Sequence, residues 1–308
     1  MRPDELERVA ARHVPGRGKL DIHRLGKGLV NETYRVLRDG AAYALRVAAA
    51  NPHDLGVDRV WEARVLDCAF AADLAPLFEY RDPPRGILIS RWVEGRAWSP
   101  ADVRLESNIS RLAALLQRIH ALPMPAPARV VSPMMWIEYY SAAAGESAAR
   151  EGGTGAESCA GAGAALRSAA MSRLAALAAL PGVDPVVCHS DLHTLNLIDR
   201  GRSLILLDWE YAHASDPLWD LASWSANNDL EDEFKHELLA NYLERPPTRD
   251  EILRLLLLEW LYDYVCLLWS EVYLNLQRVG GHGAAPDDDA PGGVLARARL
   301  LAARLTSK

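Results

Sequence analysis

Hydrophobic positions recur with a strand-like period before residue 93 and with a helical one after it. Two β-rich runs, residues 34–37 (YRVL) and 41–47 (AAYALRV), flank Asp39-Gly40, a pair that favours the tight turn of a β-hairpin. Residues 57–72 then bring Val60, Val65, Leu66 and Phe70 round at helical spacing. Residues 77–80 (LFEY) and 86–93 (GILISRWV) read as two further strands about the Pro83-Pro84 turn. From Gly95 onward helices dominate: Ile109, Leu112, Leu116 and Ile119 share one face of residues 107–120, and Pro123, Pro125 and Pro127 stop that helix. Two short apolar strands, residues 185–189 (PVVCH) and 203–208 (SLILLD), each run into a polar cluster, and helices follow to the end. Residues 142–165 are rich in Ala, Gly and Ser, lack any bulky side chain, and are expected to form a flexible insert. The apolar run 252–274 is interrupted by Arg254, Glu259, Asp263 and Glu271, so it reads as a buried helix rather than a bilayer span.

Composition narrows the classes. The chain has 308 residues, 41 acidic against 34 basic side chains, and a formal net charge of -7, and half of its residues are hydrophobic. A disordered or collagen-like chain is excluded, and the absence of a basic tract argues against a nucleic-acid partner. Cys68, Cys159, Cys188 and Cys266 have neither a disulfide framework nor metal-ligand spacing. The opening MRPDELERVAARHV reads as an amphipathic helix rather than a secretory signal, so a cytoplasmic protein is expected. Nine Trp against three Phe is an unusual ratio.

Candidate chemistry gathers at the strand ends. In His189-Ser-Asp191-Leu-His193-Thr-Leu-Asn196 a carboxylate precedes an amide by five positions. That interval suits phosphoryl transfer: the carboxylate aims at an acceptor hydroxyl while the amide oxygen, a turn later, reaches a magnesium ion. Asp208 comes twelve residues after Asn196, at the end of SLILLD, where enzymes with such a kinase-like loop carry a metal-binding Asp. A lone Asp after an apolar strand is commonly a helix cap or turn residue. The two-part pattern, HxDxxxxN, a short hairpin and then LLDWE, is what points to catalysis.

The runs HSDLHTLNLI and LILLDWEYAHASDPLWDLASW closely resemble the choline/ethanolamine kinase and aminoglycoside phosphotransferase family, small-molecule kinases with a protein-kinase-like fold. The resemblance implies an α+β, two-lobed architecture: a small antiparallel-sheet N-lobe over residues 1–93 that binds ATP, and a larger, mainly helical C-lobe over 94–308. It implies Asp191 as the catalytic base, Asn196 and Asp208 as ligands of Mg2+, and Glu210 as a contributor to metal or substrate binding. His189, Asp216 and Asp220 would support the loops. Residues 25–34 (LGKGLVNETY) stand where such kinases place a glycine-rich phosphate loop, so Gly28, Asn31 in the place of its third glycine, and Thr33 are expected around the phosphates. Arg46 stands where a lysine is expected, with Glu62 of the following helix as its partner; a guanidinium keeps the charge and adds bidentate geometry. The backbone at Arg91 and Trp92 is expected to meet the adenine.

A cationic acceptor is implied, choline or ethanolamine first, thiamine second, an aminoglycoside or amino sugar third. Trp224, Trp260 and Tyr264, with acidic residues interleaved, would suit an ammonium through cation–π contact. An aromatic stripe at helical spacing equally reads as core. The rival of another class is a catalytically silent kinase-like binding protein, disfavoured because Asp191, Asn196 and Asp208 are all present.

Overall fold

The computed structural model describes residues 1–27, 30–48, 52–151, 157–279 and 293–307. Helix α1 (Pro3–His13) begins on a proline and carries Asp4 and Glu5 in its first turn and Arg12 and His13 in its last, the charge order that the helix dipole favours. Strands β1 (Asp21–Lys27), β2 (Asn31–Arg38) and β3 (Ala41–Ala48) follow. After them come helix α2 (Arg59–Ala71) and strands β4 (Phe78–Asp82) and β5 (Ile87–Arg91). The five strands form one antiparallel sheet in the order β1-β2-β3-β5-β4. At the β2–β3 turn Asp39 and Gly40 both have positive φ, 51° and 79°, as the expected tight hairpin requires.

The period of two along β3 decides which side chain reaches the site. Tyr43, Leu45 and Val47 are buried with Leu6, Val9 and Val14 from α1 and its end, and with Ile87 and Ile89 of β5. Arg46, between Leu45 and Val47, therefore emerges on the other face. There it meets α2, whose first turn Asp58 caps by accepting hydrogen bonds from the Val60 and Trp61 amides, both at 3.0 Å.

Past residue 95 the elements are β6 (Arg96–Ala97), α3 (Glu106–His120), α4 (Pro133–Glu151), α5 (Glu157–Ala178) and β7 (Val186–Cys188). Strands β8 (Leu197–Asp199), β9 (Leu204–Leu206) and β10 (His213–Ser215) follow, then α6 (Leu218–Asn227), α7 (Asp232–Leu243), α8 (Arg249–Val279) and α9 (Val294–Ser307). Strand β7 pairs with β10, and β6 pairs with β8 and through it with β9. Gly95 leads into β6 so close to β8 that a Cβ there would lie 2.6 Å from the Asp199 carbonyl oxygen. Helix α8 is the spine of this part, packed against α4, α5, α6 and α9. Trp209, Trp219, Trp224 and Tyr140 are among its largest fully buried side chains.

The expected flexible insert is corrected. Residues 142–151 belong to α4 and residues 157–165 to α5, while 152–156 lie outside the described residues. Alanine is the strongest helix former, so an Ala-rich stretch without bulky side chains still makes helix.

Candidate active site

The loop from His189 to Asn196 joins β7 to β8, and one buried carboxylate shapes it. Asp220, in the first turn of α6, accepts from the His189 amide at 2.9 Å and from the Ser190 amide at 2.7 Å, and His120 Nε2 lies 3.3 Å from it. Ser190 sits in the left-handed region with φ 68°, a strained position that such charge-assisted bonds can hold. Burial raises the Asp220 pKa, but hydrogen bonding and charge from His120, the His189 ring and the Ser190 amide outweigh it and hold the carboxyl below its ordinary range. His189 is fully buried; its Nε2 pairs with the Leu207 carbonyl at 2.8 Å, and the Leu207 amide donates to the Asn196 carbonyl at 2.8 Å. These bonds bring the loop beside Asp208. Asp216 accepts from the Leu218 amide at 2.9 Å and pairs with Arg254 at 2.5 Å, fixing the entry to α6.

Within the loop, Asn196 Nδ2 donates to the Asp191 carbonyl at 3.0 Å and to Asp191 Oδ2 at 3.2 Å. The side chains of Asp191 and Asp208 remain 30% and 34% exposed, unlike the buried residues that hold them. Asp208 is left-handed, with φ 59° and ψ 63°. Burial pushes the Asp191 carboxyl up, but His193, His189 and Arg297 more than offset this and keep it below the usual range. Asp191, Asn196 and Asp208 present oxygen donors, the chemistry a magnesium ion takes, and the bonds made by Asn196 Nδ2 leave its Oδ1 as the atom that could meet such an ion.

Across from them runs a chain of ion pairs. Arg46 Nη1 lies 2.7 Å from Asp208 and Nη2 2.5 Å from Glu62. Arg59 lies 2.9 Å from both Glu62 and Glu210, and its Nη2 donates to Asn31 Oδ1 at 2.6 Å, while Asn31 Nδ2 donates to Glu210 at 2.8 Å. Burial disfavours charge on Arg46, but Glu62, Asp208 and Glu210 raise its pKa above the ordinary value. Burial and the Asp208 charge push Glu210 up to about 8 against the pull of Arg59 and Arg46.

Several expectations need correction. Asn31 does not reach outward to phosphates: both ends of its amide are bonded to Arg59 and Glu210. Glu210 is buried in this network rather than lining a substrate surface. Thr33 lies opposite Arg46 in the β2–β3 ladder, and Gly28 lies outside the described residues. The amides of Arg91 and Trp92 donate to the Leu77 and Ala42 carbonyls at 2.8 and 3.0 Å.

The aromatics expected around an ammonium, Trp224, Trp260 and Tyr264, are buried in the core. Trp224 is 1% exposed and packs edge-on against Trp98. Trp260 stacks on Tyr264, with the Arg173 guanidinium 4.1 Å from the Trp260 ring centroid. At 3.6 residues per turn, Tyr262, Cys266, Trp269 and Tyr273 lie on the opposite side of α8, and that row serves the loop. Asn227 Nδ2 donates to both the Tyr262 hydroxyl and the Leu192 carbonyl, each at 3.0 Å, and Trp269 Nε1 donates to the Tyr211 hydroxyl at 2.8 Å. Burial raises the pKa of Tyr140, Tyr211 and Tyr262, and the Asp191 charge adds to each rise. Tyr211 and Trp269 are partly exposed. Sequence reading missed this row, because period alone does not say which face of an all-round apolar helix turns inward. It also missed Arg59, whose only signal was its place three residues before Glu62, and His213, whose Nδ1 lies 3.0 Å from Ser190 Oγ.

Comparison with known proteins agrees with this arrangement. No curated protein matches the sequence. Among solved structures, choline kinase LicA from Streptococcus pneumoniae aligns with TM-score 0.75 at 22% identity, over 99% of each chain. A choline/ethanolamine kinase family protein from Mesorhizobium loti aligns with TM-score 0.68 at 22% identity, over 99% of this chain and 94% of that one. Macrolide 2'-phosphotransferase MphH from Brachybacterium faecium aligns with TM-score 0.60 at 18% identity, over 99% and 98%. These likenesses establish the protein-kinase-like fold. Among the described residues no helix is long and apolar enough to cross a membrane. The family model described as "Phosphotransferase enzyme family" matches residues 21–254, most of the chain, and the chain therefore belongs to that family of small-molecule phosphotransferases.

Proposed function

We propose that the protein transfers the γ-phosphate of ATP, with magnesium, to a hydroxyl of a small amine-bearing molecule of the choline or ethanolamine type. The observation that carries this reading is the meeting of Asp191, Asn196 and Asp208 opposite the Arg46–Glu62 pair. Asp191 orients the acceptor hydroxyl and takes its proton as the oxygen bonds to the γ-phosphorus; the bond from that phosphorus to the bridging oxygen breaks and ADP leaves. Asn196 and Asp208 would hold magnesium, which supplies neutralisation of the phosphate charge. Arg46, already raised on its strand and held by Glu62, gives a fixed cation for the phosphates. LicA has been solved in complex with AMP, which favours an adenine nucleotide here. The partly exposed Tyr211 and Trp269 offer aromatic faces to an ammonium near Asp191. Thiamine and aminoglycosides or amino sugars are the next acceptors in order.

The test is ADP release with ATP and magnesium across choline, ethanolamine, thiamine, aminoglycosides, amino sugars and neutral sugars. Amine-bearing acceptors should be phosphorylated, and Asp191→Ala or Asp208→Ala should abolish transfer while the variants stay folded by circular dichroism. Transfer retained in those variants overturns the catalytic assignment, and transfer to neutral sugars alone overturns the amine class.

A further inference from the structure

The acceptor side of the loop carries a cation that an amine-binding pocket does not need. Arg297, on α9, donates from Nη2 to Asn227 Oδ1 at 2.6 Å, and Asn227 in turn donates to the Leu192 carbonyl and the Tyr262 hydroxyl. A single amide thus ties the guanidinium to the residue that follows Asp191. Arg297 is exposed, and no other hydrogen bond of its side chain is made among the described residues.

A structural arginine on the same helix looks different. Arg304, two turns on, pairs with carboxylates, Asp229 at 2.5 Å and Asp263. Arg297 is anchored by a neutral amide, which fixes its position, and among the described residues no carboxylate is hydrogen-bonded to it. Desolvation disfavours the charge of Arg297, yet Cys266, Tyr262, Asp191 and Asp263 raise its pKa; Asp263 is already paired with Arg304, and Arg297 in return helps to lower the pKa of Asp191. Asp191 cannot serve as its standing counter-ion if it is to engage an acceptor hydroxyl. A cation held this way favours, among amine-bearing acceptors, one that also bears an anion over one that is only cationic.

We infer that Arg297 is a specificity-determining residue and that the acceptor is zwitterionic, a hydroxylated amino acid or its N-alkylated counterpart, with its ammonium on the Tyr211 and Trp269 faces and its anionic group on Arg297. The inference rests on the reading of Asp191 as the group that engages the acceptor hydroxyl. It deepens the amine class by adding the anion.

Acceptor pairs with and without the anion test it: homoserine against 3-aminopropanol, which differ in the carboxylate alone, and carnitine against choline, with glycerol 3-phosphate as the phosphate-bearing arm. In the wild-type protein the carboxylate-bearing member of each pair should have at least about tenfold higher kcat/KM. Arg297→Glu should reverse that preference, Arg297→Met should erase it, and Arg297→Lys should retain part of it, the change residing in KM. Faster transfer to glycerol 3-phosphate than to either amino acid would make the anion a phosphate and overturn the amino-acid class. Wild-type preference for choline and 3-aminopropanol, or ratios unmoved in Arg297→Glu and Arg297→Met, overturns this inference and leaves the kinase reading standing. Absence of transfer to every hydroxyl compound overturns both.

Discussion

On the nucleotide side of the site, Arg46, Arg59, Glu62, Asp208 and Glu210 touch one another through ion pairs of 2.5 to 2.9 Å. On the side proposed for the acceptor, the Asp191 charge raises the Tyr140, Tyr211 and Tyr262 phenols further, and Arg297 is anchored by an amide. On the proposed reading the first side would receive a polyanion of fixed shape, and its charges are placed in advance and hold one another there. The second is shaped by packing, so its residues are set by which row of α8 faces inward. A substitution on the nucleotide side should therefore register in turnover, and one in the outer row of α8 should register in stability.

The largest expected effect separates the two rows of α8. Trp260→Ala should cost about 3–5 kcal/mol in urea denaturation, because a buried indole leaves a cavity and Arg173 loses its ring partner. The KM for the acceptor should stay unchanged; a raised KM would return Trp260 to the site. Arg46→Met should lower kcat/KM about 10²- to 10³-fold, roughly 2.7–4 kcal/mol, since Glu62 and Asp208 then lack their shared counter-charge. Unchanged kinetics would reduce the ion-pair chain to a structural brace.

His213 gives a pH-dependent contrast. Burial pushes it down to about 4 from the ordinary 6.5, against the Tyr211 carbonyl, which pulls it up. The unfolded chain takes up this proton near pH 6.5 and the folded chain only near 4. The folded form thus loses about 3 kcal/mol of relative stability as pH falls through that window, and His213→Gln should lack this component of the loss. Parallel stability profiles for the two proteins would remove His213 from the account. The smallest effect belongs to the sheet surface: Arg91→Ala breaks an exposed pair with Glu79 and should change stability by less than about 1 kcal/mol with kcat/KM intact. A large loss of nucleotide affinity would show that the Arg91 side chain matters there.

What could be read from the residues follows the same division. The β2–β3 hairpin, the helix after it and the Asp191–Asn196–Asp208 spacing are local, set by turn chemistry and by the distance a loop can span, and the structure brings these residues together. Arg46 and Glu62 were legible because a strand and the next helix fix their order. Asn31 and Glu210 have 178 positions between them and share a hydrogen bond that no spacing announces. Arg59 entered the network only because Asp58 caps α2 and starts its first turn there. The Ala-rich residues of α4 and α5 were misread for a different reason: their helicity comes from backbone propensity, which leaves no hydrophobic stripe to count.

The bond between Arg46 and Asp208 has a consequence for how the protein meets salt. A bare basic pocket attracts small ions from solution and must shed them when a polyphosphate arrives, so its affinity falls steeply with ionic strength. Here Asp208 serves as a resident counter-ion for Arg46 at 2.7 Å. On the proposed reading an incoming phosphate would displace a tethered carboxylate rather than dissolved chloride, which would leave Asp208 free to hold the metal. The resting protein stores its own charge balance within the fold, and nucleotide entry would be an exchange of partners rather than a neutralisation.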